Sequence, residues 1–282
     1  MEPESKLALG VDIGGTKVAA GLVDAQGEIR TQMRTPMITE GAPDKGLEAV
    51  AKAVDELLER AGGLKNIAGI GICAPGPLNP ITGVIINPPN LPIWHNYPLA
   101  EEVRRRYGVG VRIDNDANAA ALAEVKWGAA RGHRNVFYAT IGTGIGTGIV
   151  FDGKIYHGRT GAAGEGGHVG IDMNGTRCNC GKLGCIEALA SGHVLDRAAS
   201  LDLDDIALKI GAWLGSIVSL LDPDIVVIGG GVSKIGAPLF DRLRAIVPHR
   251  TINPHATELP IVPAQFGSEA GVLGAASVML AT

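Results

Sequence analysis

The stretch Leu7-Ala8-Leu9-Gly10-Val11-Asp12-Ile13-Gly14-Gly15-Thr16-Lys17-Val18-Ala19-Ala20-Gly21-Leu22-Val23 decides the fold. An apolar run enters a glycine turn and leaves in a second apolar run, which predicts strand, turn, strand. Asp24-Ala25-Gln26-Gly27 makes a further turn, and Glu28 to Arg34 a third strand. The theme returns later. Asn135 to Ile141 is a strand, Gly142-Thr143-Gly144-Ile145-Gly146-Thr147 a glycine turn, and Gly148 to Phe151 a strand; Asp152-Gly153 then turns into Lys154 to Tyr156. Gly21-Leu22-Val23-Asp24 and Gly148-Ile149-Val150-Phe151 occupy equivalent slots, so an internal duplication of a three-stranded meander is expected.

Between and beyond the meanders the periodicity changes. Leu47, Val50, Ala51, Val54, Leu57 and Leu58 fall on one helical face, stopped by Gly62-Gly63. Ile67 to Cys73 reads as a buried strand, followed by the loop Ala74-Pro75-Gly76-Pro77. Ile206, Ile210, Trp213, Leu214, Ile217, Leu220 and Leu221 form a second stripe, and the strand Ile225 to Ile228 ends in Gly229-Gly230-Gly231. A small-residue helix, with Ser268 as its expected N-cap, runs through Met279. The sum is an α/β protein of two related lobes with a ligand cleft between them. The expected division is a smaller lobe over residues 1–116, with the helix at about 268–282 packed back on it, and a larger lobe over 117–267.

Composition narrows the function. Of 282 residues, 46% are hydrophobic and 4% aromatic, and the net charge is -4. That describes a globular chain without the basic footprint or stacking platform of a nucleic-acid binder. The start has no apolar stretch of signal-peptide type, and no run is long enough to span a bilayer, so a cytoplasmic location is expected. Three of the 4 cysteines crowd into Cys178, Cys180 and Cys185. In a reducing compartment that clustering favours metal over disulfide.

Phosphate oxygens need backbone N–H donors at close range, which glycine permits. Gly14-Gly15, Gly142 to Gly146 and Gly229 to Gly231 all qualify, although each alone also reads as an ordinary turn. Neither the dinucleotide fingerprint nor the P-loop motif is present. Asp12 at a strand end suits Mg²⁺ held through water, and Thr16 a phosphate oxygen.

In Arg112-Ile113-Asp114-Asn115-Asp116-Ala117-Asn118 a strand ends and the alanine-rich helix Ala119 to Trp127 opens. One helix cap does not need four polar groups. A phosphotransfer base must meet a hydroxyl within about 2.6–3.2 Å, and an Asp at such a junction is placed for that.

His168 with Cys178, Cys180 and Cys185 supplies one nitrogen and three thiolates, a full tetrahedral shell for structural zinc. Three buried cysteines or a disulfide are the alternatives; a Cys-x-Cys disulfide closes a strained ring. Cys73 reads as plain core. With zinc on one ring nitrogen of His168, the other is free to meet a hydroxyl. Glu165 and Glu187 flank the cluster and suit sugar hydroxyls.

Together these residues resemble the ROK family (repressors, open reading frames and kinases), and within it the bacterial and archaeal glucokinases. The resemblance runs from about Leu7 to Ala276. It rests on Asp12-Ile13-Gly14-Gly15-Thr16-Lys17, Asn115-Asp116-Ala117-Asn118, Glu165-Gly166-Gly167-His168 and Cys178-Asn179-Cys180-Gly181-Lys182-Leu183-Gly184-Cys185-Ile186-Glu187. The last motif is highly specific, whereas the first is shared across actin-like ATPases. The resemblance implies two actin-like (ribonuclease H-like) lobes closing over the substrates. It implies Asp116 as the base on the 6-hydroxyl of a hexose. Asn90, Asn115, Glu165, His168 and Glu187 would hold the sugar, with Gly76 beside it. Asp12, Gly14, Gly15, Thr16, Lys17, Gly142, Thr143, Gly144, Gly229, Gly230 and Gly231 would serve ATP and its Mg²⁺. The segment Asn90-Leu91-Pro92-Ile93-Trp94 looks like the sugar-side loop of the glucokinases. Glucose leads as substrate, ahead of mannose, N-acetylmannosamine and fructose. A homo-oligomer is expected, a dimer before a tetramer.

Two departures stand out. The stretch from Ser191-Gly192 to the helix containing Trp213 is short, where many members carry a helical excursion that shapes subunit contacts. Gly166 sits where a bulkier apolar residue is common, which would loosen the pocket. A repressor of the same family would place a helix-turn-helix before the first glycine turn, and only six residues precede Leu7. A non-catalytic zinc-stabilised binding protein leaves Asp116 without a purpose.

Overall fold

The computed structural model describes residues 6–195 and 202–281. Residues 1–5 and 282 of the expected first lobe, and residues 196–201 of the short stretch after Ser191, lie outside the described residues. In chain order the elements are β1 (Leu7–Ile13), β2 (Lys17–Val23), β3 (Ile29–Pro36), α1 (Pro43–Arg60), β4 (Ile67–Ala74), β5 (Leu78–Asn79), β6 (Val84–Ile85), α2 (Leu99–Tyr107), β7 (Val111–Asn115) and α3 (Asp116–Trp127). There follow β8 (Val136–Ile141), β9 (Ile145–Phe151), β10 (Lys154–Ile155), α4 (Ile186–Ala190), α5 (Gly192–Leu195), α6 (Leu203–Leu221), β11 (Ile225–Gly229), α7 (Ala237–Ile246), β12 (Ile261–Pro263) and α8 (Ala270–Leu280). Two compact units form, one of Met1–Trp127, His157–Ala163 and Ser268–Thr282, the other of Gly128–Tyr156 and Gly164–Gly267.

The duplication is visible in the pairing. The first unit's sheet runs β3-β2-β1-β4-β7 and the second's β10-β9-β8-β11-β12. In each, two antiparallel hairpins are followed by two parallel neighbours. Gly21 pairs with Gly10, three residues after Val18 at the hairpin end. Gly148 pairs with Tyr138, three residues after Ile145. The central parallel strands β4 and β11 read as unbroken apolar runs because both faces are covered, whereas the edge strand β7 carries the exposed Arg112.

In the first unit, α1 buries Val50, Val54 and Leu57. They join the core with Leu9, Val11 and Ile72. The small residues of α8 have a steric reason. A Cβ at Gly10 would lie 2.8 Å from the Ala276 nitrogen, and one at Gly274 would lie 2.8 Å from the Ala119 carbonyl carbon. The helix is thus pressed against the sheet on one side and α3 on the other, with glycine at the closest approaches, Gly10 on the sheet and Gly274 on the helix. In the second unit, Trp213 of α6 is fully buried and meets Phe137 of β8 edge-on at 5.5 Å between ring centres.

Two expectations are corrected. Ser268 does not cap α8; Glu269 holds that position and makes no side-chain cap bond. The Asp12 carboxylate lies against Gly271 in the first turn instead, so negative charge faces the helix's positive end. Leu220 is 79% exposed. It falls at the edge of the α6 stripe, two residues before Asp222 ends the helix in a left-handed conformation.

A Gly10→Ala variant should lose about 1–3 kcal/mol through overpacking between β1 and α8, read as a lower melting midpoint.

Candidate active site

The junction of β7 and α3 is built around Asp114, which is 3% exposed. Its Oδ1 accepts from the Asn115 N–H at 2.8 Å and from Asn118 Nδ2 at 2.8 Å. Its Oδ2 is 2.6 Å from His157 Nε2. The charge is thereby matched, and burial becomes tolerable. The hydrogen bond to Asp114, with its charge adding and burial opposing, raises the His157 imidazole above its usual value. Asn115 Oδ1 and Asp116 Oδ1 both accept from the Ala117 N–H, at 2.9 and 2.8 Å. Two of the four polar groups therefore share the cap, and the other two bind each other. Asp116 itself is exposed. Gly76 lies beside this junction; a Cβ there would be 3.4 Å from Asn115 Nδ2.

The turn between β1 and β2 closes through Gly14 N–H to the Lys17 carbonyl at 2.9 Å. Thr16 and Lys17 are exposed. A Cβ on Gly15 would lie 2.7 Å from the Asn90 carbonyl oxygen, so the absence of a side chain lets Asn90 and this turn meet. Asp12 is mostly enclosed, and burial raises its carboxyl against the opposing effects of Cys73 and Lys17. Cys73 is buried, as expected of core, but it is not merely packing. Its Sγ lies 3.4 Å from Asp12 Oδ1 and 3.3 Å from the Gly271 carbonyl. The thiol thus helps hold the carboxylate. The Asp12 carboxylate at the end of β1 would serve as one oxygen partner of a Mg²⁺ that keeps most of its waters.

In the second unit, Gly142 N–H donates to the Gly144 carbonyl at 2.9 Å. Glu187 Oε2 accepts from the Ile145 N–H at 2.8 Å, and the Gly192 N–H donates to the Gly142 carbonyl at 2.6 Å. The α4–α5 segment thus brackets the turn that contains Thr143. A Cβ on Gly144 would lie 2.6 Å from Glu187 Oε2. Gly230 has φ +82° and abuts the Ile141 backbone, which brings Gly229, Gly230 and Gly231 beside the β8–β9 turn. The two glycine turns assigned to nucleotide in this unit are neighbours. Glu165 is exposed and precedes a single helical turn over Gly166–His168.

His168, Cys178, Cys180 and Cys185 present ligand atoms all within 4.8 Å of one another. Cys180 and Cys185 sulfurs are 3.6 Å apart, and Cys178 Sγ is 3.6 Å from His168 Nδ1. A tetrahedral zinc with bonds of about 2.3 Å to sulfur and about 2.0 Å to nitrogen has edges of about 3.8 and 3.6 Å. The residues therefore fit the metal, and the sulfur separation rules out a disulfide. Without a metal, burial raises the Cys178 thiol and pushes Cys185 up to about 12, whereas the Lys182 N–H lowers Cys180. Nδ1 of His168 is the nitrogen on the cluster side. Glu187 Oε1 stands 3.9 Å from it, so one carboxylate touches both cluster and glycine turn. Sequence reasoning missed that second role of Glu187, and missed His157, which meets Asp114 from 43 residues along.

A ROK family model matches residues 8–209 and 196–282. The chain belongs to the ROK family. Within it, the glucokinase of Thermotoga maritima is 32% identical, with 98% of each chain covered. The solved ROK hexokinase from Thermus thermophilus is 34% identical with a TM-score of 0.86, covering 97% of this chain and 98% of that one. A ROK glucokinase from Streptomyces griseus, solved with glucose and AMPPNP, is 33% identical with a TM-score of 0.78, covering 96% and 98%. The ROK match gives the chain the actin-like fold, one copy of the sheet in each unit. Among the described residues no helix is long and apolar enough to cross a membrane.

Cys180→Ser should lose bound zinc and melt at a lower temperature; unchanged metal content would refute the cluster. A raised imidazole stabilises the fold fully below its unfolded value and loses that contribution as pH climbs through the folded value. His157→Gln should therefore destabilise most at about pH 6 and least at about pH 9 in a melting series. A pH-independent difference would show that the pair does not titrate.

Proposed function

We propose that this ROK protein is an ATP-dependent glucokinase that moves the γ-phosphoryl group of ATP to the 6-hydroxyl of glucose. What carries the reading is Asp116: an exposed carboxylate opening α3, braced from below by the buried Asp114 network. It stands in a chain 32% identical to a glucokinase along its whole length.

Asp116 accepts the proton of the sugar hydroxyl as the oxygen–phosphorus bond forms and the bond to the bridging oxygen of ADP breaks. Proton removal comes late in such a transfer, so position matters more than basicity. Gly76, Asn90, Asn115, Glu165, His168 and Glu187 hold the hexose, His168 through the ring nitrogen not facing the cysteines. The turns at Gly14-Gly15-Thr16-Lys17, Gly142-Thr143-Gly144 and Gly229-Gly230-Gly231 supply N–H groups to the phosphates and room for the adenine. Asp12 carries Mg²⁺ through water, and that ion neutralises the β- and γ-phosphate charge when bound. Zinc on the His–Cys cluster is structural, because four protein ligands leave no open position. The protein works in the cytoplasm as a homodimer.

A coupled ADP-release assay over a dozen sugars tests the whole reading, with glucose expected to give the highest kcat/KM. Asp116→Asn should cut turnover at least ~10²-fold while glucose still binds. Parent-like turnover in that variant would remove Asp116 from the chemistry, and no ADP release with any sugar would remove the kinase assignment.

A further inference from the structure

Thr147 lies on β9 and is 3% exposed. The Gly166 N–H donates to its Oγ1 at 2.8 Å, and the same hydroxyl donates to the Gly164 carbonyl. One hydroxyl thus grips the peptide groups on both sides of Glu165, using its donor and its acceptor together. The next residues are fixed from other directions. Trp213 Nε1 donates to the Gly166 carbonyl at 3.1 Å, and Gly167 has no room for a side chain against the Ile145 backbone. The Glu165 side chain is exposed, so its place is set by its backbone rather than by packing.

The same contact accounts for glycine at position 166. A Cβ there would lie 2.7 Å from Thr147 Oγ1 and 3.1 Å from Thr147 Cγ2. The space that a bulkier residue at 166 would take is occupied by the threonine of the neighbouring strand. Far from loosening the site, the glycine admits a hydrogen-bonded clamp.

We propose that Thr147 is the positioning residue for Glu165 and sets the enzyme's affinity for its sugar. The proposal rests on the reading of Glu165 as a sugar ligand. Its logic is geometric. A flexible glycine-flanked loop leaves the Glu165 carboxylate free to sample many positions, and ordering it at the moment of binding would weaken affinity. The hydroxyl orders it beforehand.

Isosteric and conservative substitutions separate this role from packing. Thr147→Val keeps the shape and removes the hydroxyl; Thr147→Ser keeps the hydroxyl and removes the methyl. KM for glucose, KM for ATP and kcat are measured for both, with zinc content and melting as controls of the fold. Thr147→Val should raise the glucose KM roughly 10-fold, as expected for loss of a buried hydrogen-bonding group, while Thr147→Ser stays near the parent. The ATP KM should stay within about twofold in each. A valine variant that matches the parent, a serine variant that is the worse of the two, or an equal rise in the ATP KM would overturn the proposal. Thr147→Ala, with the same expectation, replaces the valine variant if the latter does not fold. Glu165→Gln distinguishes the underlying reading. An unchanged glucose KM there removes Glu165 as a sugar ligand and the inference with it. Weakened glucose binding in Glu165→Gln beside a parent-like Thr147→Val removes the inference alone.

Discussion

A buried carboxylate held by hydrogen bonds on both oxygens governs the β7–α3 junction of the first unit. Asp114 would cost several kcal/mol if left bare in the core. The imidazole of His157, the amide of Asn118 and the N–H of Asn115 make it tolerable. Because these partners converge from β7, α3 and the segment 157–163, the carboxylate fixes where the strand stops and the helix begins. Asp116 inherits its exposed position from that arrangement, two residues away, without itself being packed.

The second unit solves a similar problem with sulfur. Cys185 is both a member of the His–Cys cluster that fits zinc and the N-cap of α4. Two residues on, Glu187 reaches the Ile145 N–H with one oxygen and faces the cluster with the other. Gly192 holds the far side of the same turn. Filling the cluster therefore constrains more than the loop that wraps it; the constraint passes through α4 into the glycine turn. The tetrahedral fit of the four ligand atoms is a local property of the sequence, since three of them lie within eight residues and glycines bend the chain between them.

Much of this was legible in the sequence because it is written in short-range pattern. The two meanders, the glycine turns, the strand–helix junction at Asp116 and the His–Cys cluster each occupy one contiguous stretch. What escaped was pairing at a distance. Nothing around His157 announces that it closes on Asp114, and nothing around Cys73 shows its thiol against Asp12. Gly166 was read as a loss of bulk because its filler, Thr147, sits on another strand. The missing cap at Ser268 has the same cause: α8 begins where Asp12, from the other end of the chain, offers its charge. Leu220 shows a different limit, since a helical stripe marks a face but not where that face stops being covered.

The first unit is assembled from three separated pieces of chain, and the last of them, carrying α8, is synthesised only after the second unit's Gly164–Gly267. Until then the glycines of β1 and β4 present a bare floor, and α3 has no partner for its alanine face. Parallel pairing of β1 with β4, and of β4 with β7, already demands contacts across long loops, which slows folding. The unit that is begun first is thus completed only after the other has been made, and a nascent chain stalled before residue 270 would expose an apolar sheet to its neighbours.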